Sequence, residues 1–159
     1  MIAGIEKEFG KEAICGSYID VERVPSGSLI LDRALGGGYG LGRLVEIFGH
    51  ESSGKTSLAI HACREVQDMG RSAGYIDTEQ AMDPDYMRAL GVDLSPEKFV
   101  LSQADSAEMA LSIMRRMLDC PDIGIIILDS IAALVPKARI DGEVGDAVIA
   151  LVARLMSAE

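Results

Sequence analysis

The sequence predicts an α/β fold, a mostly parallel sheet flanked by helices with a short N-terminal helix in front. Three observations point there. Short apolar runs alternate with longer stretches of helical periodicity. One run, Ile123 to Leu128, is nearly all aliphatic and closes in Asp129, the pattern of a strand buried on both faces of a parallel sheet. Another, Leu44-Val45-Glu46-Ile47-Phe48, leads into Gly49-His50-Glu51-Ser52-Ser53-Gly54-Lys55-Thr56, which fits G-x-x-x-x-G-K-[ST], a phosphate-binding loop set between a strand and a helix.

The elements follow in order. Ile2, Ile5 and Phe9 recur at helical spacing and Gly10 closes them, so residues 2–14 read as a short amphipathic helix. A helix this short needs a surface to dock on, either its own domain or a neighbouring subunit. Val24-Pro25-Ser26-Gly27 signals a turn, Ser28 to Leu35 a short helix, and Gly36 to Gly42 a flexible connection. Leu44–Phe48 is the first buried strand. Leu58, Ala59, Ala62, Cys63 and Val66 give the helix after the phosphate loop, and Gly70 stops it.

Residues 72–77 form a second strand, running into Thr78-Glu79-Gln80. Asp83-Pro84 starts a short helix through Leu90, stopped by Gly91. Phe99-Val100-Leu101 is a third strand. Ser106 caps a helix to Leu118 whose apolar face carries Ala110, Ile113, Met114 and Met117, methionines that read as core filler. After the aliphatic strand, Leu134-Val135-Pro136 marks a break. Residues 141–146 are an acidic, glycine-bearing loop, and 147–156 a last amphipathic helix.

Composition excludes several classes. The chain has 159 residues, enough for one domain with a real core. Its net charge of −10 repels nucleic acid at long range, so any such contact needs a local basic face or an assembly that gathers basic side chains. Cys15, Cys63 and Cys120 are odd in number and form no C-x-x-C pair, which fits reduced thiols in a cytosolic, cytoplasmic setting. With His50 and His61 they make no metal cluster. No apolar run is long enough to span a membrane, so no membrane partner is expected.

The chemistry converges at the carboxyl ends of the strands. The glycines let loop N–H groups face phosphate oxygens, Lys55 reaches the β- and γ-phosphates, and Thr56 offers a hydroxyl to Mg²⁺. Asp129 has the place of a Walker B aspartate, holding Mg²⁺ through water; the plainer alternative is a strand-end cap. Glu79 is a candidate to orient and deprotonate water; by pattern alone a surface carboxylate is an equal alternative.

Four stretches together resemble the bacterial RecA recombinase family: Gly49 to Thr56, Tyr75-Ile76-Asp77-Thr78-Glu79, Ala81-Met82-Asp83-Pro84-Asp85-Tyr86, and Leu128-Asp129-Ser130-Ile131-Ala132-Ala133-Leu134-Val135-Pro136-Lys137. The likeness extends to Ile5-Glu6-Lys7 and Phe9-Gly10-Lys11. The resemblance implies a P-loop NTPase of RecA type that forms filaments on single-stranded DNA, binds ATP with Mg²⁺ between subunits and drives strand exchange in recombination and repair. It implies residues 1–22 as a helix-and-strand segment for self-association and 23–159 as the ATPase core. By position it implies Glu79 as the catalytic glutamate, and Gly49, Glu51, Ser52, Ser53, Gly54, Lys55, Thr56 and Ser57 as the nucleotide cradle. Thr56 and Asp129 become the metal-holding pair, Asp83 and Tyr86 the groups that meet adenine, and Arg154 and Ser157 those that meet the DNA backbone.

The sequence departs from the family at His50, where proline is usual, and again from Ile149 onward. The resemblance implies further strands after Glu159, one of them between the Leu44–Phe48 strand and the aliphatic strand. The expectation is therefore a gap inside the sheet and an incomplete core in these residues. Two other functions fit the motifs less closely. One is a nucleotide-binding assembly module without its own turnover. The other is a P-loop kinase of a small metabolite, for which no arginine-rich lid is present.

Overall fold

The computed structural model describes residues 2–10 and 21–140. Cys15, the acidic loop at 141–146, the helix expected at 147–156, and with it Arg154 and Ser157, lie outside the described residues.

The chain opens with α1 (Ile2–Phe9), closed by Gly10. Next come β1 (Arg23–Val24), α2 (Leu29–Leu35) and β2 (Tyr39–Gly40). The two strands pair antiparallel, Arg23 opposite Gly40 and Val24 opposite Tyr39. This corrects the expectation of a flexible connection at 36–42. Gly38 lies at φ +113, and a Cβ there would run into the Val24 carbonyl, so glycine is what lets the two backbones meet. Arg23 fastens the unit by donating from Nη1 to the carbonyls of Leu35 and Gly38, both at 3.0 Å. Ser26 N–H donates to Asp32 Oδ1 at 2.7 Å and ties the turn to α2. α2 buries none of its side chains, and Leu29 and Ile30 are exposed.

The main body holds α3 (Lys55–Asp68), β3 (Ser72–Asp77), α4 (Pro84–Ala89), β4 (Phe99–Ser102), α5 (Ala107–Leu118) and β5 (Ile123–Asp129). A 3₁₀ turn at Ile131–Ala133 and α6 (Lys137–Ile140) follow. The three strands form a parallel sheet in the order β4-β3-β5, with Asp77 opposite Asp129 at the carboxyl end. The helix starts match their sequence signals. Asp83 caps α4 by accepting from the N–H groups of Asp85 and Tyr86, with Pro84 at the first helical position. Ser106 caps α5 by accepting from Met109 N–H.

Two cores sit on opposite faces of the sheet, as the period of two along β3 requires. Tyr75 and Ala73 join Ile60, Cys63 and Val66 of α3, with Met87 and Phe99. Ile76 faces the other way, onto Ala107, Ala110 and Met117 of α5. Burying Ile76, Val66 and Met87 completely stabilises the sheet by about 1.5–3 kcal/mol each.

One expectation is corrected by the sheet itself. Leu44–Phe48 forms no strand; its backbone enters no ladder, and Leu44 is 98% and Phe48 85% exposed. A strand exists only where a neighbour takes its hydrogen bonds, and no described residue supplies the strand expected between this segment and β5. β5 packs on both faces as a parallel strand should, Ile125 and Ile127 into the α3 core and Ile123, Ile126 and Leu128 into the α5 core, but it is only half-buried along its length. Among the described residues it is an outer strand, paired with β3 alone.

Candidate functional site

The glycine loop that begins at Gly49 reaches α3 through Gly54, the residue before the helix. Its φ of +88 is open to glycine and awkward for other residues, and it turns the chain from loop to helix. Residues Ser52 to Ser57 line a hollow of about 220 Å³. The first turn of α3 opens onto it, so free N–H groups and the positive end of the helix face the same space. Lys55 folds back over the loop, its Nζ donating to the carbonyls of Gly49 at 3.0 Å and His50 at 2.8 Å. Glu51, Ser52 and Ser53 are exposed on the loop.

The link to the sheet is made by Thr56. Its Oγ1 donates to Asp129 Oδ2 at 2.9 Å, joining groups 73 residues apart. Asp129 ends β5 and Thr56 lies in the first turn of α3, so the sheet and the loop meet at these two oxygens. With its proton committed to Asp129, the threonine oxygen keeps its lone pairs free. A hydroxyl and a carboxylate are hard oxygen donors, and they suit Mg²⁺ completed by phosphate and water oxygens. No group of three or more His, Cys, Asp or Glu side chains among the described residues offers a denser cation site.

Glu79 stands exposed just beyond β3. Its Oε1 accepts from Ser130 Oγ at 2.6 Å. Ser130 is itself locked to the end of β3: its N–H donates to Thr78 Oγ1, and Thr78 Oγ1 donates to the Ser130 carbonyl, both at 2.8 Å. The geometry thus sets Glu79 beside the residue that follows Asp129. Tyr86 reaches the first turn of α3 through a 2.9 Å hydrogen bond between its hydroxyl and Ser57 Oγ, leaving its ring half-exposed at the loop. Asp83 uses Oδ1 to cap α4. Arg154 and Ser157 fall outside the described residues.

Three groups escaped the sequence reading. Asp77 is buried and accepts from the N–H groups of Ala81 and Met82 and from Gln103 Nε2, which braces the segment after Glu79. Ser130 holds Glu79. Tyr75, 1% exposed in the central strand, donates its hydroxyl to Asp129 Oδ2 at 2.8 Å. Burial, then the hydrogen bond to Asp129 and its charge, push that phenol well above the ordinary tyrosine range, so it remains a donor at any working pH. The signal available was a polar-tipped aromatic inside a strand that ends two residues later in a carboxylate.

Comparison with known proteins decides the family. Residues 1–159 match the RecA N-terminal domain. The chain belongs to the RecA family. It is 54% identical to Protein RecA of Levilactobacillus brevis over 158 residues, 96% of this chain and 41% of that protein. It is 49% identical to Protein RecA of Picosynechococcus sp. over 96% of this chain and 44% of the relative. For Protein RecA of Gloeobacter violaceus the identity is 47% over 99% of this chain and 43% of the relative. The chain therefore spans less than half the length of these RecA relatives. No helix among the described residues is long and apolar enough to cross a membrane.

Proposed function

We propose that this chain carries the nucleotide-binding part of a DNA-dependent ATPase of homologous recombination and DNA repair, one that assembles as a filament on single-stranded DNA and hydrolyses ATP during strand exchange. The observation that supports the reading is the 2.9 Å bond from Thr56 to Asp129, which brings the loop and the strand-end carboxylate together. RecA-family membership supports the substrate and the DNA partner. Lys55 and the loop amides from Gly49 to Ser57 hold the phosphates. Thr56 and Asp129 hold Mg²⁺, which draws charge from the phosphate oxygens when bound. Glu79 orients water and accepts its proton. Tyr86 and Asp83 meet the base, and Arg154 and Ser157 the DNA backbone. The protein acts in the cytoplasm, in keeping with free Cys63 and Cys120.

The test is ATP hydrolysis by this chain with Mg²⁺, with and without single-stranded DNA. The expected result is turnover that rises with DNA. Glu79→Gln is expected to retain nucleotide binding and to lower kcat by roughly 10²–10⁴-fold. Undiminished turnover in that variant removes Glu79 from catalysis, and turnover indifferent to DNA favours a small-metabolite kinase or general NTPase. One observation favours a second reading, a nucleotide-binding assembly module without turnover of its own: the segment leading into the loop is unpaired and exposed at Leu44 and Phe48. Nucleotide binding with no hydrolysis under any condition selects that reading.

A further inference from the structure

We infer that Tyr75 is a positioning residue for the magnesium pair, Thr56 and Asp129. The inference rests on the assignment of those two side chains to Mg²⁺. Asp129 Oδ2 accepts two hydrogen bonds, from Thr56 Oγ1 at 2.9 Å and from Tyr75 OH at 2.8 Å. The two donors approach from different elements, α3 and β3. Tyr75 is fully buried, packed against Phe99 at 6.1 Å between ring centroids, so its hydroxyl has a fixed place. A carboxylate oxygen held by a threonine hydroxyl alone can swing about its last torsion; a second donor fixed on a packed ring restrains that same oxygen. With Oδ2 fixed, the Thr56 proton has a constant acceptor, and the threonine lone pairs keep a constant direction away from it. Oδ1 remains for the water shell of the cation.

Tyr75→Phe removes one oxygen and keeps the ring in its packing, which isolates the effect. The experiment titrates Mg²⁺ into each protein with a fluorescent ATP analogue and repeats the binding in EDTA. Tyr75→Phe is expected to need about ten-fold more Mg²⁺ at half-effect, from loss of one charge-assisted hydrogen bond, with metal-free affinity unchanged. Thr56→Ala, run in parallel, is expected to shift the Mg²⁺ curve further. Coincident curves for wild type and Tyr75→Phe, with Thr56→Ala displaced, overturn the role of Tyr75 alone. An equal loss of affinity with and without Mg²⁺ does the same, because it marks a purely structural role. Coincidence of wild type and Thr56→Ala, or no nucleotide binding, overturns the magnesium assignment and this inference with it. A second measurement needs no substitution at Tyr75: its hydroxyl proton, followed by NMR in the wild-type chain, is expected to move when Mg²⁺ joins the bound nucleotide and to stay put in Thr56→Ala. A resonance unmoved by Mg²⁺ in the wild type counts against the proposal.

Discussion

Asp83 shows how one side chain serves the backbone first. Its Oδ1 takes the N–H groups of Asp85 and Tyr86, two of the donors a helix start leaves open. Asp83→Ala is expected to cost about 1 kcal/mol in urea unfolding and to loosen Tyr86 from Ser57. Asp83→Asn keeps an oxygen acceptor and is expected to recover most of that loss. At this scale the sequence was a good guide wherever the partner is local. The caps at Ser106 and Asp83 and the stops at Gly70 and Gly91 all act within a few residues of themselves. The Tyr75–Asp129 and Ser130–Glu79 bonds span 54 and 51 residues, and no spacing rule reaches that far. The meeting of Thr56 and Asp129 was expected because both were read at the carboxyl ends of strands, where such folds bring side chains together.

Among the elements, the contrast lies between segments that satisfy themselves and those that depend on a neighbour. α3 and α5 were readable from periodicity, since a helix bonds within its own stretch. Leu44–Phe48 has strand composition and forms none, because strand pairing belongs to two segments at once. The β1–β2 pair was missed for the converse reason: two residues on each side carry no pattern, and the close approach at Gly38 sets their meeting. These placements make opposite predictions. Phe48→Ser, at an exposed position, is expected to change unfolding free energy by no more than about 0.5 kcal/mol. Gly38→Ala is expected to cost about 1–3 kcal/mol, since the added carbon meets the Val24 carbonyl in a backbone conformation alanine resists. A large effect at Phe48, or a neutral one at Gly38, contradicts the packing described.

For the molecule as a whole, two groups buried on the α3 face of the sheet lower stability as the pH becomes alkaline. Burial pushes the Cys63 thiol from its ordinary 9.0 to about 12. A thiol raised in the folded state contributes stability that is fully present below pH 9 and lost as pH rises toward 12. Tyr75, raised from 10.0 by burial and by Asp129, acts in the same direction at higher pH. Urea unfolding followed from pH 8 to 10.5 is expected to show falling stability, with a shallower fall in Cys63→Ala. A flat profile contradicts the burial of both groups.

The unpaired ribbon at Leu44–Phe48 and the outer edge of β5 also bear on the behaviour of many copies together. Each presents main-chain donors and acceptors to whatever strand drifts past, and the ribbon adds bare leucine and phenylalanine. What keeps molecules apart is mutual repulsion from a net charge of −10. Salt shortens the reach of that repulsion from roughly 10 Å at 0.1 M to about 3 Å at 1 M. Light scattering from a concentrated solution should therefore climb as salt is added, and Phe48→Lys should hold it down. The strand edges that stand open among the described residues are thus expected to draw copies together once salt masks their charge.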